Sequence, residues 1–252
     1  MRIKFNKEIE YFIKKNFFSE KFLMKKRLIR SIKKDYDQEI TLLNKVINKD
    51  LDSIDVGVYR GVYSYQMSKL SSHVHSFEPN PLIYPYLEKN LKKIIKNMTL
   101  YNVALSDKSE IVDLKVPNRF EILNKNNHEE RFKLGLATIH NENLLGNNKY
   151  SLFKVRAEKL DNLIKNENIG FIKIDVEGHE KNVLLGAEKI IKKCKPNLLV
   201  EIEERHTNDK VQNIVNFIND LGYKSFFSDG QNLIETTKLN NYSTKNNFFF
   251  IP

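Results

Sequence analysis

From residue 51 onward the chain alternates short apolar runs with stretches of helical periodicity, and this alternation restricts the fold more than any other feature. The runs at 53–56, 73–77, 99–103, 170–174 and 197–202 have strand length, while 62–70, 81–96, 179–194 and 208–221 read as helices. Strands separated by helices build βαβ units, which predicts an α/β fold with a largely parallel sheet. A chain of 252 residues, 40% of them hydrophobic, can bury one substantial core but would be cramped as two full domains. The end, FFSDG followed by NNFFFIP, reads as a final antiparallel pair of strands, with Ser228, Asp229 and Gly230 supplying turn chemistry.

Residues 1–50 have another texture. Apolar positions recur at spacings of three and four (Ile9, Phe12, Ile13; Phe22, Leu23; Leu28, Ile29, Ile32) among basic residues, predicting two or more amphipathic helices with basic outer faces. The chain thus divides into an N-terminal helical appendage, 1–50, and a main domain, 51–252. A lid, a dimer contact or a membrane-surface helix would each suit the appendage; a structural cover over one edge of the core is preferred. Residues 116–150 are Asn-rich and too long for an ordinary connection, so they are expected to be a loop or insertion covering a site. The N-terminus lacks the apolar core of a signal peptide and no run reaches membrane-spanning length, so a soluble, cytoplasmic protein without a transmembrane segment is expected. Cys194, the single cysteine, can form no intrachain disulfide and has no cysteine neighbours for zinc, in keeping with a reducing compartment. A homo-oligomer is compatible with the sequence.

The formal charge of +10 and pI near 9.4 favour an anionic partner. The short Lys runs sit at helical spacing like solvated helix faces, and no segment interleaves dense basic residues with aromatics as a single-strand groove does. A small anionic substrate therefore ranks above nucleic acid.

Four motifs carry the chemistry. In SIDVGVYRGVYS, 53–64, a strand bearing Asp55 runs into Gly57 and Gly61 at the opening of a helix, where backbone can approach a ligand closely. It lacks the third glycine of the dinucleotide fingerprint, which disfavours a nicotinamide-dependent reductase. In VHSFEPNP, Glu78 stands at the tip of the second strand, placed to accept hydrogen bonds from both ribose hydroxyls of a nucleoside. After the third strand, Asn102 could bond an adenine edge and small Ala104 leaves room for a flat base. In FIKIDVEGHEKNVLLGA, a buried strand ends at Asp175, followed by Glu177, His179 and Glu180; the next strand delivers Glu201, with His206 shortly beyond. Carboxylates and an imidazole at the sheet's carboxyl edge suit a general base or ion ligands. Glu180 reads more simply as a helix cap, His179 as a solvent-facing side chain, and Glu177 as a shaper of the loop.

DVGVYRGVYS, FEPNP, NVALSD and IKIDVEGHEKNVLLGA...PNLLVEIEERH together resemble the FkbM family of S-adenosylmethionine-dependent methyltransferases over residues 37–251. The resemblance implies a Rossmann-like class I methyltransferase fold, with seven strands, the last antiparallel, and helices on both faces. It implies S-adenosylmethionine as cofactor, with binding residues at Asp55, Gly57, Tyr59, Arg60, Gly61, Ser64, Glu78, Asn80, Asn102 and Ala104. It also implies O-methylation, commonly of sugar hydroxyls in bacterial surface polysaccharides. Where family loops often read DVGAN, this chain has Val58 and Tyr59, so the contact that Asn would make is missing. Methyl transfer to an alcohol needs orientation, water exclusion and a base, for which Asp175 or His206 is expected, with Glu201 orienting. Asp175 and Glu201 could hold a divalent ion, though no spacing requires one. The expected substrate is a small molecule, an anionic nucleotide-sugar whose hexose or heptose is destined for capsule or lipopolysaccharide. An RNA methyltransferase and a non-catalytic Rossmann-like scaffold are the rivals.

Overall fold

Strands buried on both faces must send successive side chains into two different helical layers. The computed structural model describes residues 18–33, 38–117, 136–140, 150–165, 168–204 and 210–252. Ile9, Phe12, Ile13 and His206 lie outside the described residues. The strands are β1 (Asp52–Val56), β2 (Val74–Phe77), β3 (Met98–Tyr101), β4 (Ala104–Leu105), β5 (Glu110–Pro117), β6 (Tyr150–Glu158), β7 (Ile169–Ile174), β8 (Asn197–Glu201), β9 (Lys224–Ser228), β10 (Leu233–Glu235) and β11 (Asn247–Ile251). The helices are α1 (Glu20–Lys33), α2 (Glu39–Val46), α3 (Val62–Met67), α4 (Tyr84–Asn90), α5 (Leu160–Leu163), α6 (Glu180–Gly186), α7 (Glu188–Cys194) and α8 (Val211–Asp220).

The described residues form an eight-stranded sheet in the order β10-β9-β11-β8-β7-β1-β2-β3, with β11 antiparallel to both β8 and β9. Seven of its strands are those of the expected Rossmann-like sheet. The eighth, β10, follows β9 through the turn at Ser228–Gly230, where Asp229 Oδ1 accepts from the amides of Gln231 and Asn232 and Gly230 adopts φ 99°. The turn residues therefore close a hairpin of their own rather than the expected pair, which is β9 with β11.

Alternation along the strands builds the two layers. In β8 and β11, Leu198, Val200, Phe248 and Phe250 pack toward α6, α7 and α8, while Leu199 and Phe249 face Met24, Leu28, Leu42 and Leu43 of α1 and α2. The first described helices thus complete the hydrophobic core on one face of the sheet. The expected helix at 179–194 is two helices, broken at Ala187. Asp161, at the start of α5, accepts hydrogen bonds from the amides of Lys189 and Ile190 and so caps the second helix from outside.

The local pattern predicts no strands within or beside 116–150, yet β5 and β6 pair antiparallel at its borders and, with β4, form a second, three-stranded sheet. Between them, Thr138 exchanges backbone hydrogen bonds with Lys115 and its hydroxyl donates to the Glu177 carbonyl at 2.9 Å. This ties residues 136–140 to the turn after β7. No helix among the described residues is long and apolar enough to cross a membrane.

Candidate active site

The carboxyl ends of β1, β2, β7 and β8 open onto a cavity of about 260 Å³, the location where parallel α/β sheets bind ligands. Its first wall is the loop after β1. Gly57 has φ 88°, and a Cβ there would stand 1.9 Å from the Asp175 carbonyl oxygen, so only glycine lets the β1 and β7 tips meet. Tyr59 is also left-handed, at φ 48°. Asn adopts that conformation at less cost than tyrosine.

Glu78 braces this loop from the tip of β2. One carboxylate oxygen accepts from the Tyr59 amide at 2.8 Å and the other from the Asn80 amide at 2.9 Å. Burial pushes its pKa up to about 7, against the pull of these two bonds. Each oxygen keeps further lone-pair capacity toward the cavity that Glu78 lines. Asn102 supports the same loop from behind: its amide donates to the Glu78 carbonyl at 3.0 Å and the Pro79 carbonyl at 3.4 Å.

Below the loop lies an ion network. Asp55 and Lys173 are register partners across β1 and β7, and both are buried. Lys173 Nζ lies 2.9 Å from Asp175 Oδ2, 3.3 Å from the Gly57 carbonyl and 4.0 Å from Asp55 Oδ1, above the Tyr63 ring. Burial opposes its charge, but Asp175 and Asp55 outweigh burial and hold its pKa above the ordinary lysine value. Asp55 accepts from the Ser64 hydroxyl, and its pKa is raised, because burial exceeds the help of Lys173.

Asp175 and Glu201 also line the cavity. Burial, and then the charge of Asp175, raise the pKa of Glu201, with Lys173 pulling the other way. Beyond the β7 tip, Glu177 at φ 58° and Gly178 at φ 102° reverse the chain. Glu180 turns back to accept from the amides of Val176 and Gly178, and burial lifts its pKa to about 7.

Of the expected site residues, the cavity wall therefore brings together Gly57, Tyr59, Glu78, Ala104, Asp175 and Glu201. Asp55, Arg60, Gly61, Ser64, Asn80 and Asn102 are not on that wall. Asp55 and Ser64 form the network beneath it, Gly61 begins α3 against Leu91, and the Asn80 side chain accepts from the Leu82 amide. Arg60 lies over the Tyr59 ring. Lys173, beneath the cavity, is not among the residues the sequence marks as functional, and His179, read there as a solvent-facing side chain, stands on the cavity wall. Lys173 had a legible signal, a lone cation in the middle of an apolar strand. Residues 136–139 fall within the segment 116–150 that the sequence marks as covering a site, but which of its residues reach the cavity depends on tertiary contacts. No group of three or more His, Cys, Asp or Glu suited to a metal ion occurs among the described residues.

This strand order, with a glycine loop after β1 and a carboxylate at the tip of β2, is the fold of S-adenosylmethionine-dependent methyltransferases. Residues 55–225 match the model of the methyltransferase FkbM domain, and the chain belongs to that family. Among solved structures it is similar to methyltransferase FkbM from Methylobacillus flagellatus KT, at 15% identity and a TM-score of 0.50, covering 80% of this chain and 43% of that one. The chain thus spans less than half the length of that protein. It is also similar to a precorrin-6y C5,15-methyltransferase from Geobacter metallireducens GS-15 (16% identity, 85% of each chain, TM-score 0.43). A SAM dependent methyltransferase from Aquifex aeolicus compares at 13% identity over 93% of this chain and 97% of that one, with a TM-score of 0.44. A comparison with curated proteins finds no match.

Proposed function

We propose that the protein transfers a methyl group from S-adenosylmethionine to a hydroxyl of a sugar, one linked to a nucleotide and used in capsule or lipopolysaccharide. The observation that carries this reading is the set of carboxylates, Glu78, Asp175 and Glu201, that line one cavity at the carboxyl edge of the sheet. The residues present fit the donor. Glu78 has lone pairs left for two ribose hydroxyls, Ala104 with Phe77 and Val103 offers an apolar slot for a base, and Gly57 removes the side chain that would block the loop. A cavity lined by carboxylates favours the donor's ammonium and sulfonium charges.

When bound, S-adenosylmethionine would supply an electrophilic methyl on its sulfonium, which the acceptor oxygen attacks in line with S-adenosylhomocysteine as the leaving group. The chain's task is to align that oxygen, exclude water and take its proton. Lys173 fixes Asp175 by an ion pair, so its carboxylate is oriented before substrate arrives. Burial, and then the charge of Asp175, raise the pKa of Glu201, and the two carboxylates on the cavity wall form the pair that takes the one proton released. Carboxylates that accept hydroxyl hydrogen bonds suit a sugar, and the charge of +10 suits a phosphorylated one.

The test is calorimetry with S-adenosylmethionine, and separately NADH, followed by methyl-transfer assays over a panel of nucleotide-sugars. Binding of the first alone and methylation of a nucleotide-sugar support the reading. Donor binding without transfer to any sugar would remove the substrate assignment, and silence with both ligands would remove the enzyme.

A further inference from the structure

His179 stands on the cavity wall, outside both the ribose contact and the proton-accepting pair. Its tautomer is settled by a hydrogen-bonded chain. Burial pushes the pKa of Asp107 up, but bonds from Asn182 and Ser106 prevail and hold it below the ordinary carboxylate value. Asp107 is therefore ionised at neutral pH and can only accept. Ser106 gives its single hydroxyl proton to Asp107 Oδ1 at 3.1 Å, so toward His179 Nε2, 2.9 Å away, its oxygen accepts. His179 then carries its proton on Nε2 and leaves Nδ1 as a bare lone pair. Nδ1 is buried and has no hydrogen-bond partner. Burial, with His140 nearby, lowers the pKa of the ring to about 4 despite Asp107, so it remains a neutral acceptor at physiological pH. A buried acceptor of this kind requires a donor, and the described residues supply none.

The surroundings define that donor. Val103, Ala104 and Leu105, immediately before Ser106, line the same cavity as Phe77 and Glu78, and they follow β3, whose Tyr101 pairs with Phe77 and whose next residue, Asn102, bonds the Glu78 carbonyl, so a base attached to a ribose on Glu78 would lie against them. Asn102, expected to read the base edge, instead holds the Glu78–Pro79 loop. We propose that His179 Nδ1 accepts a hydrogen bond from the exocyclic amino group of adenine in the bound methyl donor, and thereby selects adenine over a 6-oxo purine. This inference rests on the S-adenosylmethionine reading above. A 6-oxo base would set an oxygen acceptor against the imidazole lone pair, and a site built to receive an N–H rejects such an analogue.

The experiment is calorimetric titration of the full chain with S-adenosylhomocysteine and with S-inosylhomocysteine, its 6-oxo counterpart. Wild type should favour the adenosyl compound by about tenfold or more, the worth of one buried hydrogen bond. His179→Leu should bring the two affinities together, chiefly by weakening the adenosyl compound. Ser106→Ala, which keeps the ring but releases its tautomer, should narrow the preference as well. Equal binding of both compounds by wild type, or a preference unchanged in His179→Leu, overturns the inference. So does a variant that keeps the preference but loses methyl transfer, because that outcome assigns Nδ1 to the acceptor. If His179→Leu does not fold, the wild-type ratio and Ser106→Ala decide. Failure of wild type to bind either compound would instead refute the methyl-donor reading itself.

Discussion

At the scale of single residues, the buried lysine of β7 sets the terms for everything above it. Lys173 is 3% exposed, and the two carboxylates it faces, Asp55 and Asp175, arrive from different strand tips. Removing the cation leaves a buried charge without its partner, which typically costs about 3–5 kcal/mol. Lys173→Met should therefore lower unfolding stability by that order in urea titrations, and a loss within 0.5 kcal/mol, roughly the range of a surface change, would disprove the network's importance. Glu78 makes a different prediction. Glu78→Gln keeps one acceptor for the Tyr59 or Asn80 amide but loses the charge and lone pairs offered to ribose hydroxyls. Donor affinity should fall by about tenfold or more while the melting temperature changes little, and equal losses in both would make Glu78 a loop brace only.

At the scale of elements, the break between α6 and α7 shows why periodicity alone misjudges a boundary. Residues 179–194 keep one apolar stripe through Val183, Leu184, Ala187, Ile190 and Ile191, so the pattern reads as one helix. The amides freed at the break are taken by Asp161, a residue far away in sequence and therefore invisible to any local window. Asp161→Ala should cost about 1 kcal/mol, as the loss of a cap does, measurable as a shift in the urea midpoint. Likewise α1 and α2 were legible as amphipathic helices, but what they cover was not. Leu43 of α2 is fully buried in the core shared with β8 and β11, so Leu43→Ala should cost about 2–5 kcal/mol. A near-neutral result would mean that this face of the sheet is stable without them. The β5–β6 hairpin escaped detection because its strands, EIVDLKVP and YSLFKVRAE, are joined by thirty-two residues of polar sequence rather than by a turn motif.

At the scale of the whole molecule, the buried carboxyls give stability a pH dependence whose sign can be worked out. Burial raises Glu78 and Glu180 to about 7, so the folded state holds their protons more tightly than the unfolded state. Their contribution is full below their ordinary values and is lost as pH rises through 7. His179, lowered to about 4 by burial, acts in the opposite sense, but only as pH falls below its ordinary 6.5. Between pH 6.5 and 8 Glu78 and Glu180 lose their protons, Glu201, raised by burial to about 9, acts in the same sense, and the melting temperature should fall, by roughly several degrees for a chain of this size. Glu180→Gln, which still accepts from Val176 and Gly178, should flatten the slope; parallel curves for variant and wild type would show that Glu180 does not titrate there.

The sequence by itself determined the α/β class, the five parallel strands, the glycine loop and the acidic strand tips, because each is written in local patterns of apolar spacing and turn chemistry. Only the tertiary structure decided which of those polar residues share a cavity. Asp55, Ser64 and Lys173 lie beneath it, Asn102 behind it, and His179 joins it, because strand register and a side chain's direction depend on neighbours distant in the chain. Local sequence carries no record of which long-range contacts satisfy a buried polar group, and that satisfaction separates the residues facing a ligand from those holding them in place.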